Sequence, residues 1–264
     1  MMNLFARMAQ SMRDVHENRG ILLALIRRNT AGRYKSTYVG FIWHMLFPLL
    51  TIAVLTITFT YIRPRPLEEF WIYLAAGMFP VTFISNSLRG NAITRGAQYI
   101  TKMKFPREIV VIASVLTDFL GVIFAYMFII MIIMLSGQYV NWIGFIILPI
   151  ELLLMLLFSI GCSMAISTIT VFIKDVGYFM NVFMRLVIWI TPTFFLASEA
   201  QGLLGTIVWW NPFTYYVETF HDLLYYGIFP HVEYLVMSLI LTTVALIIGA
   251  WVFFHYEKKL PEVL

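Results

Sequence analysis

Ile109–Leu135 reads IVVIASVLTDFLGVIFAYMFIIMIIML, a stretch whose only charge is Asp118. About 20 apolar residues carry an α-helix across the hydrocarbon core of a bilayer, so this run can span with residues to spare. It is not an isolated case. Hydrophobic residues make up 61% of the 264-residue chain, charged residues 12%, and the mean hydropathy is +0.84. Soluble domains carry about 25% charged residues. Half that fraction leaves too little polar surface to cover a water-soluble globule. Composition and run length together imply an all-α integral membrane protein.

Five more candidate spans lie outward from that run. Phe41–Tyr61 and Phe70–Leu88 precede it, and Trp142–Ile173, Phe179–Ala197 and Val232–His255 follow it. The stretch Trp142–Ile173 is overlong, and its start suits the membrane interface, where a Trp is at home. The chain therefore reads as one domain, 1–264, of six transmembrane helices. Gly20–Lys35 is apolar, then basic, and is expected to form an amphipathic helix on the membrane surface. Between the fifth and sixth spans, Ser198–His231 carries Glu199, Glu218 and Asp222 but no Lys or Arg. Its apolar centre, Leu203–Trp210, is too short to span and is broken at Asn211-Pro212. A pair of short re-entrant or interfacial helices fits this segment. So does a folded outer loop with Trp209 and Trp210 in the aromatic belt.

The basic residues set the orientation. Fifteen of the 18 fall on one side of the six-span arrangement: Arg7 to Lys35 before the first span, Arg89 to Arg107 after the second, then Lys174, Lys258 and Lys259. Arg63 and Arg65 face the other side, and Arg185 falls within a span. The positive-inside tendency makes the crowded side cytoplasmic, so both termini are expected there. Met1–Gly20 is polar and lacks the apolar centre of a cleavable signal peptide, which leaves the first span to act as its own insertion signal. Cys162 is the single cysteine, so no disulfide or zinc framework is available.

Enzyme signatures are scarce. There is no Gly-x-x-x-x-Gly-Lys-Ser/Thr phosphate loop and no His-Glu-x-x-His zinc pair. The five histidines, His16, His44, His221, His231 and His255, are scattered and read as interface residues. No catalytic, cofactor-binding or metal-ligating residue is expected. Ionisable groups inside spans are rare, and three occur: Asp118, Glu151 and Arg185. Arg185 either pairs with one of the two acids between helices or faces a hydrated path.

Two stripes recur at helical spacing. One is Tyr178, Asn181, Arg185, Trp189 and then Pro192 or Thr193; the other is Trp43, Phe47, Thr51, Val54, Thr58 and Tyr61. Aromatic faces mixed with hydroxyls and amides suit a sugar, and they also suit helix packing. The candidate channel residues are accordingly Trp43, Phe47, Thr51, Thr58, Tyr61, Asn181, Arg185 and Trp189. Ser159, Ser163 and Ser167, with Gly161 and Ala165, would let another helix approach closely.

Four segments carry a family resemblance. Arg33-Tyr34-Lys35-Ser36, Val39-Gly40-Phe41-Ile42-Trp43 and Phe47-Pro48-Leu49 together resemble the entry to the first span in type-2 ABC exporter permeases for polysaccharides. Ile100 to Ile109 is similar to that family's connection between spans two and three. Phe172-Ile173-Lys174-Asp175-Val176 is similar to its Phe-Arg-Asp-Val-like motif, with Lys in place of Arg. Trp210-Asn211-Pro212-Phe213 resembles its Asn-Pro motif before the last span. The motifs run in family order over nearly the whole chain.

The resemblance implies a half-transporter in a bacterial cytoplasmic (inner) membrane. Two copies would form a channel, joined to two separate ATP-binding-cassette ATPase subunits that hold the ATP and Mg; the chain itself would bind no cofactor. The implied cargo is lipid-linked polysaccharide such as O-antigen, teichoic acid or capsule, among membrane lipids and with no nucleic acid. The ATPase would be met by Arg27, Arg28, Arg33, Tyr34, Tyr99, Lys102, Lys104, Phe105 and Pro106. Lys174 and Asp175 would seal the cytoplasmic mouth, and Trp209, Trp210, Asn211 and Pro212 the outer one. Export of a drug or lipid by a related permease, and a proton-coupled carrier built on Asp118, Glu151 and Arg185, are the alternatives.

Overall fold

The computed structural model describes residues 4–34, 42–62, 69–103, 105–135 and 142–264, and every regular element among them is helical. The helices are α1 (Leu4–Glu17), α2 (Arg19–Tyr34), α3 (Ile42–Ile62), α4 (Phe70–Ser87), α5 (Ala92–Arg95), α6 (Ala97–Lys102) and α7 (Glu108–Leu135). They continue with α8 (Trp142–Phe172), α9 (Lys174–Ile190), α10 (Gly202–Trp210), α11 (Pro212–Leu224), α12 (Val232–Tyr256) and α13 (Leu260–Val263). Among the described residues three helical stretches are long and apolar enough to cross a membrane: Glu108–Leu135, Ile146–Phe172 and Val232–Val263.

Two elements differ from the sequence reading. α1 was not expected, because polar residues dominate it; Leu4, Met8 and Val15 nevertheless recur on one side and pack on a core. α9 begins at Lys174 and stops at Ile190, well short of the expected end at Ala197. Thr191 is extended there, since the ring of Pro192 disfavours a helical residue before it.

α8 and α12 form the spine. A Cβ on Gly249 would stand 2.0 Å from the Gly161 carbonyl oxygen, and one on Gly161 would stand 2.5 Å from the Ala245 backbone. Main chain therefore rests on main chain, with no side chain between. Ser159, Ser163 and Ser167 are fully buried on the same helix. Further along, Ser238 of α12 donates to Glu151 Oε1 of α8 at 2.8 Å. The Tyr216 hydroxyl from α11 joins them, 3.0 Å from the Ser238 carbonyl and 2.8 Å from Thr242 Oγ1. Lipid tails are as apolar as leucine, so contacts of this kind, rather than expulsion of water, hold membrane helices together.

α11 is wedged among α4, α8 and α12, with Tyr216, Phe220 and His221 fully buried. His221 is thus a core residue and not the interface residue expected. Its ring stacks on Tyr73 at 3.7 Å, Nε2 donates to the Tyr73 carbonyl at 3.1 Å, and Nδ1 lies 3.1 Å from Glu218 Oε1. With both nitrogens partnered, the imidazole can be buried. Gly77 admits the ring: a Cβ there would come within 2.9 Å of Nε2.

Pro80 lies inside α4 and has no N–H to offer the Ala76 carbonyl one turn back. The Tyr126 hydroxyl of α7 takes that place, donating to Ala76 at 3.0 Å. From the same helix, the Tyr73 hydroxyl reaches the Pro192 carbonyl at 3.1 Å and that of Phe195 at 2.7 Å, tying down the chain beyond α9.

A second core, including Leu25, Ile93, Ile109, Phe253 and Leu260, gathers the basic end of the molecule. Arg7 lies over the Phe254 ring and donates to the Phe254 carbonyl at 3.2 Å. Ser11 donates to Glu108 at 2.7 Å, and Arg107 donates to the Glu257 carbonyl. At the opposite end, Asp222 Oδ2 accepts from the His231 N–H at 3.0 Å and pairs with His231 Nδ1 at 2.8 Å, fastening α11 to the start of α12.

Two outcomes follow from these contacts. Gly249→Ala forces α8 from α12 and destabilises the fold by about 1–3 kcal/mol, read as a lower Tm, whereas Gly20→Ala, with nothing within 4 Å, causes no loss. The hydrogen bond that His231 donates to the Asp222 carboxylate raises the His231 pKa above its ordinary value of 6.5, helped by the nearby negative charges. The stabilisation is then complete below about pH 6.5 and is lost as pH rises through the raised folded value. Amide exchange at the start of α12 will become less protected across that window, and His231→Gln will remove the dependence.

Candidate functional site

α4 and α9 border a cavity of about 460 Å³. α9 is strongly two-sided: Gly177, Met184 and Val187 are buried, while Tyr178, Phe179, Val182 and Leu186 are exposed. Asn181, Arg185, Ile188 and Trp189 line the cavity from α9; Thr82, Ser85, Asn86 and Arg89 line it from α4 and its end. The α4 set recurs at i, i+3, i+4 and i+7, one helical face. Two guanidiniums, two carboxamides and two hydroxyls therefore share the space, and among the described residues no carboxylate lines it. Asn181 donates to the Gly177 carbonyl at 2.7 Å, and Arg89 donates to Asn86 Oδ1.

The backbone fixes the register of the two walls. A Cβ on Gly177 would lie 3.8 Å from the Arg89 carbonyl, so Arg89 stands level with the first turns of α9. Arg185, eight residues beyond Gly177, is about 12 Å further along the helix. Among the described residues Arg185 makes no ion pair, and neither Asp118 nor Glu151 lines its cavity. Glu151 is instead committed to Ser238 between α8 and α12. The three ionisable residues singled out in the sequence do not form one cluster.

The two aromatic stripes approach each other through Phe194. Its ring stacks on Phe59 of α3 at 6.4 Å and lies 5.1 Å from Trp189 of α9. On α3, Ile52, Leu55 and Phe59 pack inward, while Val54, Thr58 and Tyr61 are exposed and Thr51 is half-buried. The side chains of Trp43 and Phe47 lie outside the described residues. Asn211 is a joint: its Oδ1 accepts from the Phe213 N–H at 3.1 Å and its Nδ2 donates to Thr191 Oγ1 at 2.8 Å. Pro212 opens α11, where its missing N–H costs nothing. Trp209 stacks on Tyr234 at 5.9 Å, and Trp210 is exposed.

At the basic end, the Arg28 guanidinium lies 4.5 Å over the Tyr99 ring, which brings α2 against α6. They border a cavity of about 340 Å³ that Arg95 and Ser114 also line. Arg27 and Lys102 are exposed, and Phe105 and Pro106 are half-buried. Lys104 and the side chains of Arg33 and Tyr34 lie outside the described residues. Lys174 and Asp175 are exposed in the first turn of α9, where the acid suits the helix dipole. The sequence reading missed Thr82, Ser85, Asn86 and Arg89 as partners of the α9 stripe. Their recurrence on one face of an otherwise apolar helix was the available signal.

Residues 21–225 match the ABC-2 type transporter family. The O-antigen export system permease protein RfbA of Myxococcus xanthus is 23% identical over 256 residues, covering 96% of this chain and 98% of its own length. Two proteins of that description from Klebsiella pneumoniae are 23% and 21% identical over 248 residues, covering 92% of this chain and 95% of their own. The family match takes in α4, α9 and the cavity between them, together with the α2–α6 contact. The chain belongs to the ABC-2 type transporter family, as a membrane-embedded permease subunit of an ABC exporter.

Proposed function

We propose that the chain is the channel-forming permease subunit of an ATP-driven exporter that moves lipid-linked, O-antigen-like polysaccharide across the bacterial cytoplasmic membrane. The observation that carries this reading is the full-length similarity to permeases described as O-antigen export proteins. The uncovered polar-aromatic face of α9 agrees with it. In this reading α3, α4, α7, α8, α9 and α12 are six spans and both termini are cytoplasmic. Two copies flank the path, and two separate subunits bind ATP and Mg. A threading polymer needs many weak, equivalent contacts, and exposed rings such as Tyr61 and Trp189 supply them, whereas a single tight site would stall it.

ATP acts at a distance here. The ATPase subunits dock on α2 and on residues 91–106, and closing on ATP shifts that layer. Only a difference in nucleotide affinity between two arrangements of the complex can bias the channel open or shut. Residue 91 follows Arg89 almost directly, so a displacement of this layer is delivered straight to the end of α4.

Cysteines replacing Lys258 and Gly202 in a Cys162→Ser background will be labelled from opposite sides of the membrane; labelling from one side overturns the topology. Trp189→Ala and Tyr61→Ala will lower polymer export severalfold while assembly with the ATPase persists, and unchanged export in both would reduce the stripes to packing. The purified chain alone will hydrolyse no ATP, and lipid-linked glycan will stimulate hydrolysis only in the complex.

A further inference from the structure

At the basic end, α1, α6 and the residues that close α12 enclose a cavity of about 640 Å³, into which Arg7, Lys102, Arg107 and Lys258 all project. Among its described lining residues Glu257 is the single acid, and its carboxylate stands 3.8 Å from Arg7. Arg107 donates to the Glu257 carbonyl. Among the described residues no salt bridge reaches Lys102 or Lys258, and both are exposed. Met103, Phe105 and Pro261 give the same cavity an apolar wall. Four cations around one acid repel one another, and an anion arriving among them relieves that repulsion.

α12 indicates which anion. Ile240, Val244, Ile248 and Trp251, then His255 and Lys258, recur every three or four residues and are all exposed, so one open stripe runs down the helix into the cavity. Trp251 and His255 stack on each other at 5.8 Å, as rings do at a membrane interface. At 1.5 Å per residue Lys258 lies about 39 Å from Val232, past a hydrocarbon core about 30 Å thick and level with lipid head groups. An acyl chain on the stripe therefore brings its own head to Lys258, whereas a soluble anion gains nothing from the stripe. We infer that this cavity holds the phosphodiester head of an anionic membrane phospholipid whose acyl chains lie along α12. The head bridges Lys102 and Lys258 and so links α6 to the end of α12, and the apolar wall takes the glycerol beneath it. The site requires only that α12 stand in a bilayer and does not depend on what is exported.

The test is titration of the full-length chain in detergent with phosphatidylglycerol, the first bound lipid being read by native mass spectrometry. Phosphatidylglycerol is expected to bind more tightly than zwitterionic phosphatidylethanolamine. Lys102→Gln combined with Lys258→Gln is expected to weaken its binding about tenfold, and Lys102→Arg combined with Lys258→Arg to preserve it. Arg13→Gln combined with Lys174→Gln removes as much charge from exposed positions outside the cavity and is expected to change nothing. Both cavity lysines are exposed, so the variants should fold, and a thermal melt without lipid establishes it. Equal binding of the two lipids, or undiminished binding by the folded Lys102→Gln, Lys258→Gln protein, overturns the assignment. An equal loss in the Arg13→Gln, Lys174→Gln protein would reduce the effect to diffuse attraction and overturn it as well. Competition by glycerophosphoglycerol, the same head without acyl chains, as strong as by the intact lipid would make this a free-anion site and remove the role given to α12.

Discussion

The contact of Gly161 with Gly249 sets the distance between α8 and α12, and most of the remaining structure is positioned by it. At that separation the Ser238 hydroxyl reaches Glu151, and Tyr216 reaches Ser238 and Thr242. Those bonds seat α11. α11 in turn presents His221 to Tyr73 and Gly77 on α4, and α4 forms one wall of the cavity whose other wall is α9. A glycine pair at the crossing thus governs, through three successive packings, where Arg185 finds itself. In a solvent of hydrocarbon such a chain of fitted contacts is the chief source of cohesion, since burying apolar surface gains little there.

α9 shows how one helix serves two solvents. Its buried side is small or slender, Gly177 and Val187 among others, and allows tight seating against the bundle. Its other side mixes rings with Asn181 and Arg185. A fully lipid-facing helix would not carry that guanidinium without a partner. The cavity, with amides and hydroxyls from α4 opposite, provides the polar surroundings the arginine needs.

Much of this could be read in the sequence, for physical reasons that vary by element. The run ending at Leu135 announces a spanning helix because length and apolarity alone decide it. The α9 stripe was visible because its residues sit at 3.6-residue spacing on a helix that is otherwise apolar. α1 escaped notice because its three packing residues are diluted by polar neighbours and gain meaning only against Leu25 and Ile109. His221 was misread because its acceptor, Tyr73, stands 148 residues away, and no local spacing encodes that pairing. The α4 half of the cavity did leave a local trace, the polar recurrence on one helical face, but not its partner: Ser85 and Asn86 become a wall only when α9 lies across from them.

Pro80 and Tyr126 form a further dependency. The proline leaves the Ala76 carbonyl without a donor inside its own helix, and the tyrosine hydroxyl of another helix supplies one. Neither residue has its present use without the other. In the history of a lineage the two behave as one character: a descendant that loses the proline regains an N–H for that carbonyl, and its tyrosine is then free to drift to phenylalanine. A descendant that loses the hydroxyl first is left with a stranded carbonyl deep in the bundle. The order in which such a pair can be dismantled is therefore set by hydrogen-bond accounting, proline before tyrosine.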